Sequence, residues 1–165
     1  MADVRRALLD DAPLIASIQI EAWQKRLSQW ADEEFIRQFD LAAQTEKYKK
    51  RSADPNQTVL VAEDKMGRVV GVIGARPNEE ASEYERFLFG FYVRPDLERQ
   101  GIGTGLLNAL LETEAQNGDR KIIVFTFADN FPARRRYQAC GGALLSFTTH
   151  PSLADLGLAH VSYGF

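Results

Sequence analysis

Two short stretches carry residue types and spacings that could do chemistry. "RQGIGTGLL", residues 99–107, places glycines at 101, 103 and 105 directly before a leucine-rich run. Glycine costs about 1 kcal/mol against alanine inside a helix, so this junction needs bare backbone more than helix propensity. A strand that turns through such a loop into a helix leaves unpaired N–H groups at the positive end of the helix dipole. That arrangement binds phosphate, and the missing Cβ atoms let a ligand oxygen approach. In "NFPARRRYQACGG", residues 130–142, Asn130, Ala133 and Tyr137 stand at i, i+3 and i+7 and share one helix face. Asn130 is a natural N-cap and Pro132 suits a first turn. A tyrosine, with a pKa of about 10, can give up a proton in a reaction without being ionised at neutral pH.

Several other chemistries are excluded. A P-loop ends in Gly-Lys-Ser/Thr, where this chain has Thr104-Gly105-Leu106. A dinucleotide fingerprint needs a third glycine where Leu106 stands. Taken alone, the loop remains open to being a plain glycine-rich turn. His150, His160 and the single Cys140 do not make a metal cluster, so no metal is expected. One cysteine allows no intrachain disulfide and suits a reducing, cytoplasmic setting. The net charge of −3 disfavours nucleic acid and anionic membranes as partners. No run approaches the ~20 apolar residues of a membrane span, and "MADVRRALLDDAP" lacks a signal peptide's apolar core. The 165 residues fit one domain, 1–165, large enough to bury roughly 70% of its unfolded surface.

The elements that must position the two stretches follow from hydrophobic period and turn residues. "RRALLDDAPLIASIQIEAWQKRL" opens as a short strand and becomes a helix, with Asp10, Asp11 and Pro13 in its first turn and Leu14, Ile15, Ile18 and Ala22 on one face. A second helix is expected from about Asp32, with Phe35, Ile36 and Phe39 inward. "TVLVAEDKMGRVVGVIGAR" reads as a hairpin of Val59–Glu63 and Val69–Ala75. "RFLFGFYVRPD" holds a continuous apolar strand broken by Pro95, as a central strand covered on both faces would be, and Gly90 within it suggests a bulge or the close approach of another backbone. A helix through Leu106, Leu107, Leu110 and Leu111 ends near Asn117-Gly118 and leads to the buried strand "KIIVFTF". Two such strands joined by a helix form a parallel crossover. A short helix from Asn130 and the strands "ALLSFTT" and "AHVSYGF" close the chain.

In order and spacing, Val93, Pro95, Gly101, Gly103, Asn130, Ala133, Tyr137 and Gly141 resemble the motifs of the GNAT superfamily of N-acetyltransferases. The first strand and helix are similar as well, so the resemblance covers most of the chain. It implies an α+β fold of the three-layer sandwich type. A central, mostly antiparallel mixed sheet would hold a parallel, splayed strand pair, flanked by helices. It implies acetyl-CoA as acyl donor, with pantetheine in the gap along the backbone of Phe91, Tyr92 and Val93. The amides of Arg99, Gln100, Gly101, Ile102, Gly103 and Thr104 would hold the diphosphate, with Asn130 and Ala133 beside the cofactor. Tyr137 would protonate the departing thiolate. In this frame Glu98 replaces the usual Gln or Arg; a frame shifted by two, on Gln100, Gly103 and Gly105, meets the pattern literally but moves the loop relative to Pro95. Arg136 and Gly142 also stand where apolar residues are usual.

Acetyl transfer also needs the acceptor's ammonium to lose a proton. The acidic loop before the central strand offers Glu79, Glu80, Glu83 and Glu85, and Glu85, nearest the strand, is the expected base. The acceptor pocket is expected between the first two helices and this loop, with Trp23, Trp30 and Glu83 as its lining. The four glutamates favour a cationic acceptor. Arg134, Arg135 and Arg136 fan around a helix at ~100° steps and so form no single patch; a solvated face is the default expectation for them, with one reaching the cofactor's ribose phosphate as the alternative. Cys140 is a packing residue. The implied function is direct transfer of acetyl from acetyl-CoA to a primary amine of a small molecule or peptide, by a monomer or homodimer. The alternatives are an acyl-CoA-binding module without catalysis and a protein N-terminal or lysine acetyltransferase.

Overall fold

A computed structural model describes residues 2–27, 34, 39–80, 82–118, 120–148 and 160–165. Its strands are β1 (Asp3–Arg6), β2 (Thr58–Glu63), β3 (Val69–Pro77), β4 (Arg86–Val93), β5 (Ile122–Phe127), β6 (Ala143–Thr148) and β7 (His160–Gly164). They form one sheet in the order β1-β2-β3-β4-β5-β7-β6. Every neighbouring pair is antiparallel except the central β4–β5 pair, which is parallel. The helices are α1 (Ala12–Leu27), α2 (Leu41–Ala53), α3 (Ile102–Gln116) and α4 (Phe131–Ala139). This is the α+β sandwich expected from the sequence.

Strand β2 shows why both faces need covering. Val59 and Val61 pack with Ala12, Ile15 and Ala16 of α1 and Tyr48 of α2, while Leu60 and Ala62 pack with Leu106, Leu107 and Leu110 of α3. Apolar residues at every position from Val59 to Ala62 give the strand no solvent face, so helices lie on both sides. Tyr137 and Ala133 put α4 on the α3 side.

Some local expectations change. The helix expected from Asp32, with Phe35 and Ile36 inward, falls outside the described residues. Helix α2 begins later, after Asp40, whose side chain accepts the Ala43 N–H at 2.8 Å. Leu14 faces solvent at 52% exposure, because α1 turns Ala12, Ile15, Ala16 and Ile18 inward instead. Asp11 lies in a short 3-10 turn, Leu9–Asp11, before α1. Its carboxylate accepts the Leu8 N–H and pairs with Arg5, both at 2.7 Å. Among the described residues, no helix is long and apolar enough to cross a membrane.

The closed end of the β4–β5 pair is pinned by charge. Arg86 at the start of β4 and Glu114 on α3 are almost fully buried, with Nε 2.8 Å from Oε2. Thr58 Oγ1 donates to Glu114 Oε1 at 2.5 Å, and Arg86 also donates to the Asn56 and Ala75 carbonyls at 2.9 and 3.2 Å.

Candidate active site

Beyond this pin the two central strands part. Register contacts between β4 and β5 are confined to Arg86–Ile122 and Phe87–Ile123. From Leu88 onward the edge of β4 that faces β5 has no strand partner, so its backbone groups remain available to a ligand. Gly90 makes this edge irregular. It sits at φ +61°, and the β3–β4 register shifts between Val72 and Gly74 opposite it. A Cβ there would lie 2.7 Å from the buried Tyr48 hydroxyl oxygen. The bulge also reverses side-chain parity: Phe89 packs towards α1 and α2, Phe91 towards α3 and α4, and Tyr92 towards α1 again. Phe91 is thereby turned to the side where the glycine loop lies.

That loop leads into the N-terminus of α3. Arg99 and Gly101 take positive φ, 64° and 83°, conformations found in loops whose amides form anion-binding concavities. The Gly105 N–H donates to the Gly101 carbonyl at 2.9 Å, closing the first turn. The amides of Ile102, Gly103 and Thr104 therefore have no partner within the helix and point out of its positive end. Gly101 holds the left-handed position at the helix N-cap while Gly105 is a full turn further in, an arrangement that suits the frame built on Gly101 and Gly103. Glu98, unexpected near a diphosphate, is drawn away by Lys25 of α1 at 2.9 Å.

Two residues of α4 close the same cleft. Tyr137 is 4% exposed, with ring centroids 6.1, 5.5 and 6.2 Å from Phe91, Tyr163 and Phe165. Its hydroxyl makes no hydrogen bond to another described residue. Burial pushes its pKa well above the usual tyrosine value, against a smaller downward pull from Arg136. Arg136 lies over the Phe91 ring at 5.4 Å, and its guanidinium carbon is 2.8 Å from where a Cβ of Gly103 would be. No described carboxylate pairs with it. A cation set at the positive end of a helix, on a close-packed glycine, suits an anion lodged between them. The sequence offers three adjacent arginines, and only packing singles this one out. Arg134 is used locally, donating to the Ala128 carbonyl at 2.6 Å and to the Tyr163 hydroxyl at 3.2 Å. Asn130 is likewise local: it caps α4 through the Ala133 N–H at 3.4 Å and donates to Thr126 Oγ1 at 3.0 Å.

The expected acceptor residues divide. Trp23 donates its indole N–H to the Tyr92 hydroxyl at 2.7 Å and stacks on Phe39 at 5.2 Å, so it braces β4 on the α1 face. Trp30 lies outside the described residues, as does His150. Glu83 is exposed and paired with Lys121 at 2.5 Å, and Glu79 with Arg76 at 3.2 Å. Glu85 is exposed just before β4, beside Asn56, Pro77 and Arg120. Five residue-to-residue steps, roughly 16 Å at ~3.3 Å each, separate it from the Gly90 bulge. The structure thus brings Tyr137, Phe91 and the glycine loop together, and leaves Glu85 and Glu83 at the far end of the strand. Among the described residues, no group of three or more His, Cys, Asp or Glu could hold a metal ion.

The residues present fit coenzyme A: a free strand edge for amides, outward N–H groups and Arg136 for phosphate, and an apolar wall at Phe91. Comparison with known proteins agrees. The chain matches the acetyltransferase (GNAT) family over residues 19–142. A relative from Bacillus subtilis, the uncharacterized N-acetyltransferase YuaI, is 29% identical over 140 residues, covering 84% of this chain and 79% of the relative. The structure of YncA, a putative acetyltransferase from Salmonella typhimurium with its cofactor acetyl-CoA, is similar at a TM-score of 0.77 and 19% identity, covering 100% of this chain and 93% of that one. The PaiA N-acetyltransferase of Thermoplasma acidophilum in complex with coenzyme A gives 0.76 and 14%, covering 100% and 99%.

Proposed function

The chain belongs to the GNAT acetyltransferase family and is an acyl-CoA-dependent N-acyltransferase, and from that premise we propose that it moves acetyl directly to a primary amine of a small molecule or peptide. The observation that carries this reading is the opening of β4 from β5 after Phe87, beside both the outward amides of α3 and the Tyr137 hydroxyl. Acetyl-CoA supplies the activated thioester. The free edge of β4 at Phe91–Val93 holds its amides, and the amides of Arg99–Thr104 with Arg136 hold its phosphates. The acceptor enters on the α1–α2 face, on the far side of the bulge from Tyr137.

In direct transfer the amine nitrogen bonds to the acyl carbon, the carbon–sulfur bond breaks, and the proton lost by nitrogen balances the one gained by sulfur. Tyr137 serves the second half: burial keeps its phenol protonated at neutral pH, so a proton is at hand for the thiolate. Glu85 takes part only through water, given its place at the end of β4. Glu85→Gln is therefore expected to lower kcat less than about tenfold, against the 10²- to 10⁴-fold of a directly acting base. A pH–rate profile of the variant checks this; a loss of its acidic limb with a hundredfold fall in kcat restores Glu85 as the base.

Cofactor binding is tested separately from turnover. Acetyl-CoA is expected to raise Tm, because a ligand that binds only the folded chain stabilises it by mass action. Gly103→Val places a side chain against the Arg136 guanidinium and over the outward amides, and is expected to remove most of that rise. A folded Gly103→Val protein with the full rise would remove the loop from the phosphate site. Release of free thiol across an amine panel then separates an enzyme from a module that only binds acyl-CoA.

A further inference from the structure

On the face of the sheet opposite Tyr137, the parted strands present four phenyl rings. Phe87 and Phe89 come from β4, Phe125 and Phe127 from β5, and Phe87 stacks on Phe125 at 5.9 Å. Three of these rings carry a guanidinium. Arg51 of α2 lies 4.0 Å from the Phe89 centroid, Arg76 of β3 4.7 Å from Phe87, and Arg26 of α1 5.0 Å from Phe127. Arg26 is paired with Asp129 at 2.8 Å, and Arg76 with Glu79, whose side chain is 87% exposed. Arg51 has no carboxylate partner among the described residues. It is half-buried, and one turn before it Tyr48 touches the Gly90 bulge where the strands part.

A half-buried guanidinium without a carboxylate is costly to keep beside a second cation. Burial lowers the Arg51 pKa and Arg76 adds to this, against an opposing pull from the Tyr48 and Tyr92 hydroxyls. Lys47, one turn earlier on α2, is also lowered, by burial first and then by Arg51 and Arg76. Two glutamates of the acidic loop are engaged elsewhere, Glu83 with Lys121 and Glu79 with Arg76. A guanidinium seated over an aromatic ring can still offer N–H groups for bidentate binding of a carboxylate.

Resting on the reading of this site as an acetyltransferase, we propose that the acceptor is a primary amine that also carries a carboxylate, as an amino acid does. Arg51, supported by Arg76, holds that carboxylate at the aromatic mouth on the α1–α2 face. The charge expected of the acceptor from the four glutamates alone is reversed. Arg51 binds and orients the acceptor, and takes no proton.

The experiment compares matched amines: phenylalanine, phenylalaninamide and 2-phenylethylamine, then leucine, leucinamide and isoamylamine, with spermidine as the polycation. The amides control for the lower amine pKa of an amino acid. Thiol release is expected to give the carboxylated member of each set a kcat/KM about 10- to 100-fold higher, the worth of one charge-assisted contact. Arg51→Gln is expected to shrink that ratio towards one by raising KM, and Arg51→Lys to keep part of it. Equal or better use of the amides, the simple amines or spermidine overturns the proposal, and so does an unchanged ratio in Arg51→Gln. If no amine releases thiol, the direct-transfer reading falls, and the carboxylate site is then read from Tm shifts of the coenzyme A complex with the same sets. There, equal shifts, or none from the amino acids, overturn it.

Discussion

Tyr137→Phe is expected to lower kcat about 10²- to 10⁴-fold, the usual contribution of a positioned general acid. The ring stays: its neighbours Phe91, Tyr163 and Phe165 pack against carbon atoms that phenylalanine keeps. The hydroxyl has no hydrogen bond to another described residue, so its removal orphans no buried partner. Stability should therefore change by well under the ~1 kcal/mol of a lost hydrogen bond. Acetyl-CoA affinity should also hold, because the proton is needed only as the thiolate leaves. The check is kcat, coenzyme A affinity and Tm on one variant. Full activity would remove Tyr137 from the mechanism, whatever happened to Tm.

Glu114→Ala should show the opposite pattern. It leaves the Arg86 guanidinium, 3% exposed, without its carboxylate inside the sheet–helix interface. Breaking a buried ion pair in this way typically costs about 3–5 kcal/mol, a large part of the 5–15 kcal/mol that holds a typical domain folded. For a chain of this size that is a fall in Tm of roughly 6–20 °C. Thr58 loses its acceptor as well. Replacing both charges, Arg86→Met with Glu114→Leu, is expected to recover most of the loss, since a well-packed apolar pair is often as stable as a buried ionic one. Denaturant unfolding of the two single variants and the double variant measures this. A cost for Glu114→Ala below about 1 kcal/mol would refute the view that the pair holds α3 to β4. Activity per folded molecule should change little, because the pair sits at the closed end of the strands.

These two residues differ in how far the sequence revealed them. Tyr137 was legible because its signal is local: Asn130 caps a helix, and the i, i+3, i+7 spacing fixes which face the tyrosine shares. Glu114 gave no signal, because an acid in a helix reads as solvent-facing until the arginine 28 residues earlier is brought against it. The same division runs through the candidate site. The glycine loop, the hairpin and the two buried strands follow from turn residues and periodicity, which act over a few residues. The splay of β4 from β5, Arg136 on Phe91 and the three guanidinium groups on phenyl rings join residues far apart in the chain.

The sequence by itself determined the local elements and the outward amides of α3. Glycines at the start of a leucine-rich helix leave its first amides without an intrahelical partner and without side chains over them. Which face of the sheet each β4 side chain takes was decided only by the tertiary structure. In "RFLFGFYV" no position after Arg86 is charged and all but Gly90 are bulky and apolar, so no alternation marks the faces. The bulge at Gly90, held against Tyr48, reverses the parity, sending Phe91 to the side of α3 and α4 and leaving Phe89 on the other with Arg51. A strand buried on both sides carries its directional information in its neighbours rather than in its own residues.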